Sequence, residues 1–170
     1  IFTDNKGDMA GIIMEPIRNE EPRAGFLEKV KELARKNNAV LIFDEITAGW
    51  REITAGMHMK YGIEPDIAIF GKTISNGFPM AAIIGVDTVM EAAQNTFISS
   101  AYFTDRIGPA SALKTLQIHR EINAGQVVSE MGKFVQMQWA LISKSHGINL
   151  SIGGIPALSH FAFDSHNPEL

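Results

Sequence analysis

Two short apolar runs in this chain each end on a charged residue, and the two charges have opposite sign. Leu41-Ile42-Phe43 runs into Asp44, and Asp66-Ile67-Ala68-Ile69-Phe70 runs through Gly71 into Lys72. A continuous run of β-branched and aromatic residues reads as a strand buried on both faces of a parallel sheet. Ligands of open α/β sheets bind at the carboxyl ends of such strands, which makes Asp44 and Lys72 candidates for one site. A lysine at a strand end, shielded from water, can lose its proton and form an imine with an aldehyde. A carboxylate beside a pyridine nitrogen favours the protonated ring, which then accepts the electrons released when a Cα proton leaves. Pyridoxal 5'-phosphate (PLP) catalysis needs both groups, with Lys72 forming the Schiff base and Asp44 on the ring nitrogen. Ile46, one residue past Glu45, is a β-branched side chain placed to press on one face of the ring.

The surrounding pattern supplies the elements that must hold these residues. Met9 to Met14 is a short apolar strand stopped by Pro16. Phe26, Val30 and Leu33 recur at helical spacing, so Ala24 to Lys36 reads as an amphipathic helix with Asn37-Asn38 as its C-terminal cap. Ala39 to Asp44 then completes a strand–helix–strand unit with a right-handed crossover. Ile46 to Tyr61 reads as a loop and a short helix. Gly62 to Pro65 turns the chain into the strand Asp66 to Phe70, and Ser75-Asn76-Gly77-Phe78-Pro79 is a strong turn. Met80 to Gly85 follows as a strand whose connection is too short for a parallel crossover, so it runs antiparallel. Asp87 caps a helix through Ala93. Arg106 to Ile122 and Gly125 to Ser145 read as long helices, and Ala157 to Phe163 as a strand. The fold class expected is therefore α/β, a mostly parallel sheet with one antiparallel strand. A composition shift from Gly147 to Pro156 divides residues 1–146 from residues 147–170.

Other chemistries fit less well. Gly71-Lys72-Thr73 resembles the end of a phosphate-binding P-loop, but the glycine required five positions earlier is Asp66, which repels phosphate. The acidic strand also precedes the lysine, the reverse of P-loop order. The 5 histidines show no metal-ligand spacing, so no metal is expected. Taken alone, Asp44 reads as a strand-end cap and Lys72 as a solvated surface lysine. Their order and flanks together carry the functional reading. Glu15 and Glu45 are expected to form ion pairs with Arg18 or Arg51, and Met57, His58 and Met59 to be packing or loop residues.

Composition narrows the class further. The chain has 170 residues, 45% of them hydrophobic and 20% charged, the make-up of a globular protein. A net charge of −4 without a basic cluster gives nucleic acid no footprint. With 0 cysteines there are no disulfides or thiolate metal sites, and a cytoplasmic location is favoured. No apolar run approaches the length of a membrane span. The chain begins at Ile1, nearly at a strand, and is expected to be a piece of a longer protein.

The stretches IIMEPI (Ile12 to Ile17), LIFDEITAGWR (Leu41 to Arg51) and GIEPDIAIFGKTISNGFPMAAIIG (Gly62 to Gly85) resemble class III PLP-dependent aminotransferases, glutamate-1-semialdehyde aminomutases among them. The resemblance covers Gly7 to Ile122. It implies the large-domain core of a fold-type-I PLP enzyme over residues 1–146, with a smaller C-terminal domain opening at 147–170. It also implies Lys72 as the Schiff-base lysine, Asp44 as partner of the pyridine nitrogen and Ile46 beneath the ring. A small amino donor, a carbonyl acceptor and a homodimer with interfacial sites are implied as well.

Two positions depart from that pattern. Thr47 stands where many members carry Gln near the cofactor's phenolic oxygen. Ser99-Ser100-Ala101-Tyr102 replaces S-T-F, with Ala101 at the position of the phosphate-binding Thr, so Ser100 and Thr104 become the candidates for that contact. The family's main phosphate loop precedes the matching region. The alternative reading is a non-catalytic PLP-fold module or inactive truncation that serves in folding or dimerisation. A visible absorbance band on adding PLP separates the two.

Overall fold

The architecture is that of a computed structural model, which describes residues 7–163. The outer ends of both expected units, residues 1–6 and 164–170, lie outside the described residues. Four strands form the principal sheet in the order β1 (Gly11–Met14), β2 (Val40–Asp44), β3 (Ile67–Phe70) and β4 (Ala82–Gly85). β1, β2 and β3 are parallel, and β4 returns antiparallel along β3. The mostly parallel sheet with one antiparallel strand is as expected from the pattern.

Helix α1 (Phe26–Lys36) joins β1 to β2. Leu27 and Ala34 face the core with Leu41 and Phe43, and Val30 packs against them as expected, whereas Phe26 is half exposed and Leu27 takes its place. The cap is as expected: Asn37 Nδ2 donates to the Leu33 carbonyl at 2.8 Å, and Asn38 takes a left-handed φ of 51°. A second cluster joins Ala68 and Phe70 of β3 to Ile74 and to Ala112 of α3 (Ile107–Glu121).

One expectation for the strands fails. β2 and β3 alternate rather than being buried on both faces: Leu41, Phe43, Ala68 and Phe70 are buried, while Ile42, Ile67 and Ile69 are only partly covered. Among the described residues, α1 and α3 cover one face of the sheet, and on the other Ile13 and Ile83 are 63% and 59% exposed.

The short helix α2 (Asp87–Met90) passes into a 3-10 turn at Glu91–Asn95. Asp87 is its first helical residue rather than its cap; Val86 holds the cap position and no side chain bonds there. Helix α4 (Ala124–Ser145) packs along a 3-10 turn at Pro156–Leu158 so closely that a Cβ on Gly132 would stand 1.9 Å from the Pro156 carbonyl oxygen. The expected strand Ala157 to Phe163 is that turn followed by β6 (His160–Phe163), because Pro156 fits the first turn of a helix. β6 pairs antiparallel with β5 (Leu150–Gly153), a strand inside the Gly147 to Pro156 segment that composition alone did not mark.

Candidate active site

The parallel pairing of β2 with β3 sets Asp44 beside Ile69. The ladder continues one residue further, with Glu45 N donating to the Ile69 carbonyl at 2.8 Å. Lys72 follows three residues after Ile69, so the carboxylate and the amine leave the sheet at the same edge. The other end of the pairing is fixed by Asp66, whose Oδ2 accepts from Leu41 N at 2.7 Å. That bond gives the Pro65-Asp66 dipeptide a physical role: it sets the register in which the two strands deliver their charges.

Each side chain at this edge is held by its own turn. Asp44 Oδ1 accepts from Ile46 N at 2.9 Å, a local side-chain turn that fixes the carboxylate. Ile46 lies against the backbone of Gly71, where a Cβ would stand 3.3 Å from Ile46 Cγ2. Glycine at 71 thus lets the two loops approach. Lys72 has a φ of 47°, a left-handed conformation that is costly for a non-glycine residue and clusters at functional sites. Its Nζ donates to Thr47 Oγ1 at 2.8 Å.

The loop between Ile46 and Lys60 is tied down by two histidines that the sequence pattern left as packing residues or did not single out. Glu45 is 1% exposed. Its carboxylate accepts from Met57 N (2.9 Å), His58 N (2.8 Å) and His58 Nδ1 (2.8 Å). An ionised carboxylate can only accept, so Nδ1 carries the hydrogen. Gly56 makes room for this contact, since a Cβ there would lie 2.5 Å from the His58 ring.

Farther along the loop, His119 of α3 is 6% exposed. Its Nε2 lies 2.8 Å from the Trp50 carbonyl and its Nδ1 2.9 Å from Thr54 Oγ1. A carbonyl only accepts, so in the neutral ring Nε2 donates and Nδ1 accepts from the hydroxyl. Trp50 itself has a φ of 58°, and its ring packs against Phe70 at 4.6 Å between centroids, tilted by 53°.

The ion pairs expected of the glutamates are therefore redistributed. Arg18 pairs with Glu15 at 2.8 Å as foreseen. Arg51 instead donates through Nε to the Thr47 carbonyl at 3.1 Å, and Glu45 takes His58.

Ser100 and Thr104 are not joined to this edge by any described hydrogen bond. Ser100 Oγ accepts from Tyr102 N at 3.1 Å within its own exposed turn. The helix start that follows carries an anion of its own, because Asp105 Oδ1 accepts from Ile107 N at 2.8 Å. A cleft of about 710 Å³ runs beside the lysine turn. Thr73 and Phe78 line it with Ser111 and Lys114, and neither Lys72 nor Asp44 does. It flanks the sheet edge that carries Asp44 and Lys72.

The residues at the sheet edge fit PLP. Lys72 is exposed rather than shielded from water as expected, and among the described residues no carboxylate pairs with its amine. Asp44 offers a fixed carboxylate at the same edge, and the Gly71 gap shapes the bed on which Ile46 lies.

Comparison with known proteins shows the family of the chain. The aminotransferase class-III family model matches residues 1–161. The 3-aminobutyryl-CoA aminotransferase of Cloacimonas acidaminovorans is 34% identical, with 96% of this chain and 41% of that protein covered. Glutamate-1-semialdehyde 2,1-aminomutase 2 of Lachnoclostridium phytofermentans is 31% identical over 96% of this chain and 40% of that protein. The Sphingopyxis sp. MTA144 FumI protein, solved in its PLP internal aldimine form, superposes with a TM-score of 0.90. It is 25% identical, with 96% of this chain and 41% of that chain covered. The chain thus spans about two fifths of the length of the curated relatives it matches.

Proposed function

From the premise that the chain belongs to the class-III aminotransferases, whose cofactor is PLP, we propose that it carries the cofactor-binding core of an enzyme of amino-group transfer. The reaction moves an amino group from an amino compound to a carbonyl, or within one molecule as in the aminomutases. Residues 1–146 are read as large-domain core and 147–170 as the opening of a smaller domain. The observation that carries the proposal is the delivery of Asp44 and Lys72 to one sheet edge by the paired strands β2 and β3.

When bound, PLP supplies an electron sink for the charge left on the substrate Cα. The chain's own residues do the rest. Lys72 Nζ would hold the cofactor and would then move the proton released at the substrate Cα. The Asp44 carboxylate would keep a proton on the ring nitrogen, and Ile46 would bear on one face of the ring.

Other lysines are less suited to the role. Lys60 is ion-paired with Glu21 (2.6 Å) and Glu52 (3.0 Å), and Lys114 donates to Gln117 at 3.1 Å. A homodimer belongs to the same proposal. Phe97, Ile98 and Phe103 are 95%, 61% and 66% exposed in one short segment, an apolar surface that fits a partner copy. A cytoplasmic location is proposed with it; among the described residues no helix is long and apolar enough to cross a membrane.

Borohydride reduction of the whole protein with bound PLP, followed by peptide mapping, tests the assignment. The label should fall on Lys72 and vanish in Lys72→Ala. A label on Lys60 or Lys114 would overturn it.

A further inference from the structure

Thr47 stands at a position that the roles above leave without a function. Its hydroxyl accepts the Lys72 amine at 2.8 Å, although two carboxylates stand close to it in sequence. Both carboxylates are engaged elsewhere. Asp44 Oδ1 holds Ile46 N, and the two oxygens of Glu45 hold Met57 N and two nitrogens of His58.

Thr47 is itself held firmly. Arg51 Nε donates to its carbonyl at 3.1 Å, the Asp44 turn fixes the residue before it, and a β-branched side chain has few χ1 choices. The amine therefore rests on a neutral, immobilised hydroxyl.

We propose that Thr47 is the dock of the Lys72 amine, holding it whenever the lysine is not covalently attached to the cofactor. The inference rests on the reading of Lys72 given above and adds a positioning residue to it. On attachment Nζ bonds to the aldehyde carbon, and the aldehyde oxygen leaves as water with two hydrogens from the amine. The hydrogens that bridge to Thr47 are then lost or redirected. When a substrate amine displaces the lysine, two hydrogens pass from that amine to Nζ and the bond to Thr47 re-forms. The dock thus stabilises the released lysine and keeps it at the sheet edge for its proton transfer. A hydroxyl suits this role because it binds the amine without holding it as a charged partner would.

The test uses the whole protein and pyridoxal, which lacks phosphate and so reports on Lys72 rather than on an anion site. Thr47→Val keeps the shape and removes the hydroxyl. Loss of the dock raises the free energy of the released amine alone, so covalent capture of pyridoxal should become about three- to tenfold more favourable. Displacement of the lysine by an amino donor should slow in the same variant, and Thr47→Ser should restore both values.

Weaker capture in Thr47→Val would place the hydroxyl on the bound cofactor and overturn the dock. So would unchanged capture, or a Thr47→Ser variant that behaves like Val. A cofactor-free crystal structure with Lys72 Nζ beyond hydrogen-bond reach of Thr47 Oγ1 would overturn it without any variant. Capture at another lysine in the unmodified protein would sink the reading of Lys72 and the dock together, whereas the other adverse outcomes leave Lys72 in place.

Discussion

His58 Nδ1 lies 2.8 Å from Glu45 Oε1, and this contact folds the loop after β2 back onto the strand that carries Asp44. The carboxylate is buried yet satisfied by three N–H groups, two of them from the backbone of the returning loop. A charged group is tolerated in such a place only when its hydrogen bonds are complete. Glu45 thus stands one residue from Asp44 but has a separate role, shaping the loop on which Ile46 and Thr47 ride.

Breaking that contact should cost more than an ordinary surface change. Glu45→Gln keeps the volume but turns an NH₂ group toward N–H donors, and about 1–3 kcal/mol of stability should be lost. Glu45→Leu orphans every one of the three donors and should cost more than about 3 kcal/mol. Urea unfolding of the two variants measures this. A Glu45→Leu protein as stable as the parent would show that the loop needs no carboxylate.

Asp44→Asn in the whole protein probes the other carboxylate of the pair. The amide keeps the shape and can still accept from Ile46 N, so the turn should persist. The charge that holds a proton on the ring nitrogen is gone. Cα proton removal should slow by two or more orders of magnitude, about 3 kcal/mol in barrier, while cofactor attachment survives. Single-turnover half-reactions with an amino donor measure it; near-normal rates would leave Asp44 a purely structural role.

The pair at the sheet edge was legible because strand runs and their terminal charges lie close in sequence. Leu41 to Asp44 and Ile67 to Lys72 each announce a strand and its product within a few residues. The antiparallel return of β4 was legible for the same reason, through a connection too short to cross over. What stayed hidden depends on contacts between distant positions. Asp66 meets Leu41 across 25 residues, and His119 meets Trp50 across 69. Thr47 could be seen as a departure from the family's Gln. Its bond to Lys72, 25 residues away, follows only once Glu45 and Gly71 bring the two loops together.

Tyr61 supplies a pH dependence away from the site. Partial burial, and after it the hydrogen bond from its hydroxyl to the Glu21 carboxylate, pushes its phenol well above the ordinary value of 10.0. Folded Tyr61 therefore keeps its proton at pH values where the unfolded chain releases it. Its contribution to stability is full below about pH 10 and is lost as pH rises above that toward the folded value. Tyr61→Phe should remove this alkaline loss, and Glu21→Gln should reduce it. Thermal unfolding between about pH 8 and 11.5, a range that brackets the ordinary phenol value, with ultraviolet absorbance to follow phenolate, measures both. A Tyr61→Phe profile that still falls in parallel with the parent would assign the loss to other groups.

The turn at Ser100 to Thr104 is where an anchor for the cofactor phosphate is proposed, and its geometry sets what each group can give. Ser100 Oγ accepts from Tyr102 N, which leaves its own hydrogen to donate outward. Asp105 already occupies the start of α3, so the hydroxyls rather than the helix end must supply the attraction. Replacing both Ser100 and Thr104 by Ala in the whole protein should weaken PLP binding by about 1–3 kcal/mol, the loss of hydrogen bonds to a charged group. Pyridoxal, which has no phosphate, should bind as before. Asp105→Asn should act in the opposite sense and tighten PLP alone, because it lifts a carboxylate away from the anion while keeping an oxygen for Ile107 N. Equilibrium titrations of PLP and pyridoxal against these two variants decide the matter. Equal weakening of both ligands in the double variant, or none in either, would take this turn out of the site.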